Sequence, residues 1–219
     1  MPFTQPPQKT ALPPLLPLGA RPRREDIDRG RVVLIHGALS PRECRNIIHF
    51  AEVQGFQPAG LAIGDDRYRV NAKARNNARV ILEDSAFAKA LSARVRGLLE
   101  PRHERLKLDG LNWRLRIYRY QPGQYFRPHL DVRMGLPGGG ETRCSMMIYL
   151  NDDFTGGETT FFERKPKGRA KSRKRNNRTT HIIRPVTGAA LAFDHLLLHE
   201  GSEVTDGVKY AIRTDVIYR

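Results

Sequence analysis

Two stretches in the first half of the chain have apolar residues at helical spacing. The first runs from Pro41 to about Gln54, and it follows Ser40, a residue type that caps helix N-termini. The second opens at Ser85 and runs to about Leu99. Each stretch has one apolar side, so we predict two amphipathic helices that pack on a sheet.

Beyond residue 101 the pattern changes to short runs in which apolar and polar residues alternate, which is typical of strands. With two earlier runs, the predicted strands are 31–37, 80–82, 112–120, 143–151, 158–163, 179–184, 188–194, 196–203 and 208–217. In the last strand, one face carries Lys209, Ala211, Arg213 and Asp215, and the other carries Tyr210, Ile212, Thr214 and Val216. Strands of this kind favour a mainly β sandwich or barrel whose mouth holds a polar ligand while helices cover its outer face.

The chain divides into a short leading segment and one domain. Residues 1–24 hold seven of the 15 prolines and few side chains that could pack, so we predict an extended, mobile tail. Residues 25–219 are then a single domain. Within it, residues 55–77 are polar and contain glycine and aspartate, which is typical of a lid or substrate loop.

Composition changes this picture only modestly. Apolar residues make up 39% of the chain and charged residues 28%, as in a globular protein, and no apolar run approaches the roughly 18 residues of a membrane span. The first residues read poorly as a secretory signal, so we expect an intracellular and cytoplasmic protein, or a nuclear one in a eukaryote. The two cysteines form no C-x-x-C pair, which predicts neither a disulfide framework nor a zinc site.

The formal net charge of +15 is concentrated in one place. Residues 164–178 carry nine lysines and arginines and no acidic residue. We interpret this stretch as a basic insertion that is either solvated and without function, a contact for nucleic-acid phosphates, or a nuclear address. The absence of aromatic residues argues against recognition by base stacking.

Candidate chemistry lies in the pair His129-x-Asp131 and in His199. In an extended segment, alternate side chains project to the same face, so His129 and Asp131 point the same way and a distant strand has to supply a third ligand. Two imidazoles and one carboxylate with open positions suit non-haem Fe(II). His195 is a competing third ligand because it lies four residues before His199.

Five blocks resemble the Fe(II)- and 2-oxoglutarate-dependent dioxygenases, in particular their prolyl 4-hydroxylase-like branch. They are Tyr120-x-x-Gly123-Gln124-x-x-x-Pro128-His129-x-Asp131, Tyr149-Leu150-Asn151-Asp152, Phe154-x-Gly156-Gly157-Glu158-Thr159-x-Phe161, Gly188-x-Ala190-Leu191-x-Phe193 and His199-x-Gly201-x-x-Val204-x-x-Gly207-x-Lys209-Tyr210. The resemblance covers about Val32 to Tyr218. It implies an α+β, mainly β fold with a double-stranded β-helix core of jelly-roll, cupin-like type and supporting N-terminal helices.

The resemblance also implies a site. His129, Asp131 and His199 would bind iron, and the blocks after the distal histidine register on His199 rather than on His195. Lys209 would pair with the far carboxylate of 2-oxoglutarate, Tyr149 would donate a hydrogen bond to the same group, and Tyr120 would lie beside the cosubstrate. Arg213 faces the same way as Lys209 and is the alternative anion partner, with substrate binding or bracing of Asp215 as its other roles.

The implied activity is hydroxylation of an unactivated C–H, most simply in a prolyl residue of a protein or peptide, with release of succinate and CO2. Its cofactors would be Fe(II), 2-oxoglutarate and O2, with ascorbate as an accessory reductant. Arg75, Asn77, Arg79 and Arg116 are the candidate substrate residues, although a solvated turn also explains the first three. An oxygenase acting on nucleic acid or on a small molecule, and a non-catalytic metal-binding or scaffold protein, are the alternatives.

Overall fold

The computed structural model describes residues 2–64, 67–163 and 178–219. The helices are α1 (Pro41–Gln54) and α2 (Ser85–Val95), and a 3-10 turn at Arg96–Leu98 extends the second. In the described part of the chain, neither helix has the length and hydropathy that a membrane span requires. The basic insertion predicted at 164–178 lies outside the described residues except for Arg178.

Most of the fold is β-structure. The first strands are β1 (Pro2–Thr4), β2 (Arg23–Asp28), β3 (Val32–His36), β4 (Gln57–Pro58), β5 (Leu61–Gly64), β6 (Arg67–Arg69), β7 (Ala78–Glu83), β8 (Arg102–His103) and β9 (Leu106–Leu111). The later strands are β10 (Arg114–Tyr120), β11 (Phe126–His129), β12 (Glu141–Tyr149), β13 (Thr155–Gly156), β14 (Thr159–Phe162), β15 (Thr179–Ile183), β16 (Ala190–Asp194), β17 (Leu198–Gly201), β18 (Val204–Asp206) and β19 (Lys209–Tyr218). Every strand predicted from the sequence is present, with differences at the ends.

Two antiparallel sheets face each other. The larger has the order β2-β3-β16-β12-β19-β10-β7-β4, with β9 paired to β19 and β8 to β9. The smaller has the order β11-β17-β14-β15. Neighbouring strands come from distant parts of the sequence, as in a jelly roll, so the predicted double-stranded β-helix fold is confirmed.

The larger sheet separates two apolar cores. On one side, Ile212 and Val216 of β19 pack with the helices. On the other side, Ala211 packs with Tyr149 and other buried residues between the two sheets. This division follows the alternation in the sequence, because successive side chains of a strand point to opposite faces. The inner side is the one that carries Lys209 and Arg213.

Helix α1 begins where the sequence predicts, for a local reason. Ser40 and Glu43 form a capping box: the Ser40 side chain accepts from the Glu43 amide at 3.3 Å, and the Ser40 amide donates to Glu43 Oε2 at 2.7 Å. Glu43 Oε1 also pairs with Arg94 of α2 at 2.8 Å. The cap of one helix therefore also fixes the second helix beside it.

The first 24 residues differ from the expected tail. Strand β1 pairs with β6, the Gln8 amide donates to the Ile81 carbonyl at 2.8 Å, and Leu12 is buried in the outer core. Strand β2 begins at Arg23 and pairs with β3. We predicted a tail because few side chains of this segment could pack. Backbone groups between the prolines nevertheless form hydrogen bonds that attach the segment to the domain.

The segment 55–77 is also more regular than predicted. It contains β4, β5 and β6, and β5 and β6 join β1 in a three-stranded sheet. After β6 the chain returns to the larger sheet, where β7 pairs with β10. The segment therefore forms a small folded flap beside the mouth of the barrel rather than an irregular loop.

Asp84 connects the leading segment to α2, which yields a testable prediction. One carboxylate oxygen accepts from the Phe87 amide at 2.9 Å and caps α2, and the other accepts from the Leu12 amide at 2.8 Å. We expect Asp84→Ala to lower the free energy of unfolding by about 2 kcal/mol, since it removes both bonds. Asp84→Asn should cost less, because the amide can still cap the helix.

Urea unfolding measures the two stabilities, and amide hydrogen exchange measures the leading segment. In Asp84→Asn, exchange should accelerate at Leu12 while the α2 amides keep their protection. Unchanged protection at Leu12 in both variants would show that Asp84 does not hold the segment.

Candidate metal centre and its two cavities

Strand pairing brings the two histidines together. In the antiparallel pair formed by β11 and β17, His129 and His199 are directly opposite each other. Asp131 follows β11, and its amide donates to the carbonyl of His195 at 3.1 Å. The register of the smaller sheet, and not proximity in sequence, therefore assembles the three side chains.

Among the described residues, His129, Asp131 and His199 form a group whose candidate ligand atoms all lie within 4.8 Å of one another. Nε2 of His129 is 3.6 Å from one carboxylate oxygen of Asp131, and Nε2 of His199 is 3.5 Å from the other. Each Nδ1 donates to a backbone carbonyl, that of Arg127 at 2.8 Å and that of Leu197 at 2.9 Å. Both rings are thereby oriented with Nε2 as the free ligand atom.

Neighbouring charges set the protonation of this group. Burial alone would raise the pKa of Asp131, but Arg213, whose Nη1 lies 2.9 Å away, and the two imidazoles hold it well below its ordinary value. Burial lowers the pKa of His199 to about 4. The site thus presents a carboxylate and a neutral imidazole at neutral pH, which are the forms that bind metal.

The surroundings suit a metal that keeps positions open. The His129 ring stacks on Phe126 with 3.5 Å between centroids, and the His199 ring packs against Phe193 at 4.5 Å. Ser145 donates to Asp131. Two imidazoles and one carboxylate held in this way would fit non-haem Fe(II), which takes this ligand set and keeps other positions open.

The inner cavity leads from the three ligands to Lys209. Tyr120, Thr159 and Met147 are among its lining residues, and its volume is about 30 Å³. Nζ of Lys209 donates to the carbonyl of Gly157 at 2.6 Å. Lys209 makes no ion pair with a carboxylate in the described part of the chain, and its other two N–H donors remain for an anion.

Burial determines the charge of Lys209. The residue is 2% exposed, and burial lowers its pKa to about 8.

Gly157 permits the close approach of the Lys209 side chain, since its φ is +69° and an added Cβ would lie 3.1 Å from Cδ of Lys209. Gly157 lies in the short connection between β13 and β14.

Tyr120 and Tyr149, which the family resemblance places at the cosubstrate, both lie on the inner side of the large sheet. Tyr120 lines the cavity, and its ring centroid is 5.3 Å from Nζ of Lys209. The Tyr149 ring is 5.5 Å from Nζ, and its hydroxyl shares a 2.8 Å hydrogen bond with Thr159. Thr159 was missed in the sequence, although it shares a strand face with the buried Phe161.

Arg213 is already engaged by carboxylates. Its guanidinium contacts Asp131 at 2.9 Å and Asp215 at 3.1 Å. Asp215 also lies 3.4 Å from Arg116 and 3.4 Å from Nε2 of His195. Bracing of Asp215 is therefore the arrangement in the structure, and His195 lies behind the ligand group rather than in it.

The candidate substrate residues border an outer cavity of about 340 Å³. Arg75, Arg79 and Arg116 line it, and His129 and Asp131 form part of its wall. Asn77 does not line it, but its Oδ1 accepts two hydrogen bonds from Arg75, at 3.0 and 2.8 Å. The outer cavity thus also reaches the ligand group, and Lys209 is not among its lining residues.

Residues 115–214 match the model of the 2OG-Fe(II) oxygenase superfamily. Prolyl 4-hydroxylase 1 of Arabidopsis thaliana is 26% identical over 138 residues, which cover 60% of this chain and 46% of the plant protein. The chain therefore spans about half the length of that relative.

Two solved structures share the fold. One is a viral collagen prolyl hydroxylase of Paramecium Bursaria Chlorella virus-1 in a 2OG complex, with a TM-score of 0.54, 20% identity and coverage of 85% of this chain and 96% of that chain. The other is a prolyl hydroxylase of Trichoplax adhaerens in complex with a hypoxia inducible factor peptide, with a TM-score of 0.60, 16% identity and coverage of 86% and 84%. The resemblance to 2OG-Fe(II) oxygenases inferred from the sequence is confirmed by the family model, and these two structures show the shared fold.

The metal site yields a prediction that does not depend on turnover. We expect His199→Ala to weaken Co(II) binding, as a stand-in for Fe(II), at least about 100-fold, since a direct ligand is lost. His195→Gln should stay within about tenfold of the wild type, because His195 contacts Asp215 and no ligand atom.

Anaerobic titration calorimetry measures these affinities, and His181→Ala is a control for loss of a histidine outside the group. Equal losses in His199→Ala and His195→Gln would contradict the ligand set.

Proposed function

We propose that this chain, a 2OG-Fe(II) oxygenase of the prolyl 4-hydroxylase-like kind, hydroxylates a prolyl residue of a protein or peptide. The observation that carries the proposal is a single one: the His129, Asp131 and His199 group lies at the junction of two cavities. The inner cavity ends at a buried cation, and the outer cavity is wide enough for a side chain.

Different residues of the site bind the metal and the cosubstrate. When bound, the iron and 2-oxoglutarate would supply the oxidising chemistry, in which the cosubstrate becomes succinate and CO2. His129, Asp131 and His199 hold the metal, and Arg213 keeps Asp131 ionised. Lys209 binds the far carboxylate of the cosubstrate, since a buried anion requires a fixed counter-charge.

Two further groups complete the inner cavity. Thr159 lines the cavity and is positioned by its hydrogen bond to Tyr149, so the threonine hydroxyl is the nearer donor to a bound carboxylate. Tyr149 then acts mainly by orienting Thr159. The rings of Phe126 and Phe193 pack on the two histidines and keep water from the far side of each.

A peptide substrate is supported by the relatives, whose names are those of prolyl hydroxylases, and by the hypoxia inducible factor peptide bound to the Trichoplax protein. The outer cavity of about 340 Å³ opens beside the flap formed by β5 and β6. A proline ring is much smaller than this volume, so room remains for a neighbouring side chain. Nucleic acid and small molecules are the alternatives that the experiment below tests.

The chemistry can be tested without knowledge of the natural substrate. We expect Fe(II) and 2-oxoglutarate, added together under anaerobic conditions, to give a metal-to-ligand charge-transfer absorption band. The band should be lost in His199→Ala and retained in His181→Ala. After oxygen is admitted, succinate release should increase with proline-containing peptides and not with DNA or RNA. Stimulation by oligonucleotides alone would contradict the peptide assignment.

Lys209 makes cosubstrate binding depend on pH. Below about pH 8 the amine is protonated in the free protein, so the affinity for 2-oxoglutarate should not change with pH. Above that pH, binding requires uptake of one proton, and the affinity should fall about tenfold per pH unit until the ammonium of the complex titrates.

The measurement is equilibrium binding of 2-oxoglutarate to the Co(II)-loaded protein between pH 6.5 and 10, a range chosen to bracket the shifted pKa of about 8. Lys209→Arg is the matched variant, because a guanidinium stays charged throughout the range. A profile of the same shape in both proteins would show that another group controls binding.

A further inference from the structure

The outer cavity has more positive charge than its own carboxylates neutralise. Five arginines line it, and the two aspartates among its lining residues are Asp131 and Asp215. The five arginines are Arg75, Arg79, Arg116, Arg127 and Arg213. Since Asp131 is also a candidate metal ligand, its charge is shared with any bound cation.

Three of the five guanidiniums have evident partners. Arg213 contacts both aspartates, and Arg116 lies 3.4 Å from Asp215. Arg127 is exposed and lies over the Tyr125 ring, 3.7 Å from its centroid. These three do not require a ligand to account for their position.

Arg75 and Arg79 are different, because both are buried and have only uncharged partners in the described part of the chain. Arg75 is 4% exposed and donates to the amide oxygen of Asn77. Arg79 is 3% exposed and donates to Gln5 Oε1 at 2.9 Å and to the carbonyl of Gly60 at 3.3 Å. Its Nη2 has no hydrogen-bond partner among those residues. A buried cation without an anion is costly, so such a pair is more typical of a binding site than of a structural core.

Aromatic rings hold both guanidiniums in place. Arg75 lies 4.1 Å from the ring centroid of Phe126, and Phe126 stacks directly on His129. Arg79 lies 4.0 Å from the centroid of Tyr68 in β6. Arg75 is thus one aromatic ring away from a metal ligand, and a group bound there would lie close to the reacting carbon.

The pKa of Tyr118 reflects the positive electrostatic potential of these arginines. Burial would raise its pKa, but Arg75, Arg213, Arg116 and Arg79 outweigh burial and lower it. The electrostatic potential is therefore positive at Tyr118, whose side chain lines both cavities.

We propose that Arg75 and Arg79 bind a carboxylate of the substrate, the side chain of an aspartate or glutamate within about two residues of the hydroxylated proline. The short spacing reflects that Arg75 packs on Phe126, which stacks on His129, while each extended residue spans roughly 3.3 Å. This inference rests on the proposed function, since it names the peptide class that the same site would accept.

The cavity favours a carboxylate on a peptide over a nucleic-acid phosphate. Its walls include Tyr68, Phe126 and Met134 as well as the arginines, which suits one enclosed side chain. A guanidinium can bind a carboxylate or a phosphate in a two-bond geometry, so the enclosed shape of the cavity decides between them. A nucleic-acid backbone would need an open groove that follows several phosphates.

Four peptides of equal length test the proposal, each with one proline. The first has glutamate next to the proline, the second glutamine, and the third lysine, all with amidated C-termini. The fourth has glutamine and a free C-terminal carboxylate two residues after the proline. We expect kcat/KM for peptide-dependent hydroxylation to be at least about tenfold higher with glutamate than with glutamine, and lowest with lysine. A fourth peptide as good as the first would identify a terminal carboxylate as the ligand and overturn the side-chain assignment.

Substitutions of the two arginines test whether they cause the preference for glutamate. Arg79→Gln and Arg75→Gln should reduce the preference for glutamate over glutamine to within about twofold, while Arg79→Lys should restore part of it. Arg119→Gln is the matched control, because Arg119 lies in β10 but pairs with Glu52 outside the cavity. It should keep the full preference.

The experiments distinguish absence of the carboxylate site from absence of peptide hydroxylation. Each variant is first checked for its melting temperature and for the anaerobic charge-transfer band, which report folding and the metal site. Hydroxylation of all peptides without a preference for glutamate, or a preference unchanged in both Arg→Gln variants, overturns the carboxylate site alone. Competition by oligonucleotides but not by acidic peptides would assign the arginines to phosphate instead. A normal band with no hydroxylation of any peptide contradicts the proposed function.

Discussion

The charge of Asp131 is the constraint on which the rest of the site depends. A carboxylate that is 8% exposed between two sheets requires compensation, and Arg213 provides it at 2.9 Å. Arg213 is itself only partly exposed to solvent and has a second carboxylate partner, which is Asp215. Asp215 accepts from Arg116 at 3.4 Å, and Nε2 of His195 lies 3.4 Å from its other oxygen. One metal-binding group thus explains a chain of alternating charges through the inner face of the large sheet.

This series of paired charges also explains why two basic residues on one face of β19 have different roles. Arg213 and Lys209 are four residues apart and both point inward, but the first is held by two aspartates and the second by a backbone carbonyl. A cation without an acidic partner, buried at the end of a cavity, retains its attraction for an incoming anion. The difference lies in the partners and not in the face of the strand, which is why the sequence left the two as alternatives.

Local patterns predicted most of the fold. Ser40 as an N-cap residue and the alternation along β19 were sufficient to place α1 and to separate the inner face from the outer face. The pairing of His129 with His199 was expected only through the family resemblance, because a register between distant strands has no local signal. The small sheet was missed for the same reason, since β1 and β6 lie far apart in the sequence. Thr159 was missed although its partner Tyr149 is only 10 residues away, because the strand pattern does not show which polar residue of a face lines a cavity.

The leading segment shows how such a misreading affects the site. Its prolines suggested a tail, yet Gln5 accepts a hydrogen bond from Arg79, and β1 pairs with the strand that carries Tyr68. Arg79 is therefore held on one side by the segment and on the other by a ring that the segment helps to position. Proline limits how a chain donates hydrogen bonds, but it leaves the carbonyls and the neighbouring amides free to pair. A segment that looked dispensable by composition thus supports residues that line the outer cavity, and the position of Arg79, the most buried arginine of that cavity, depends on this support.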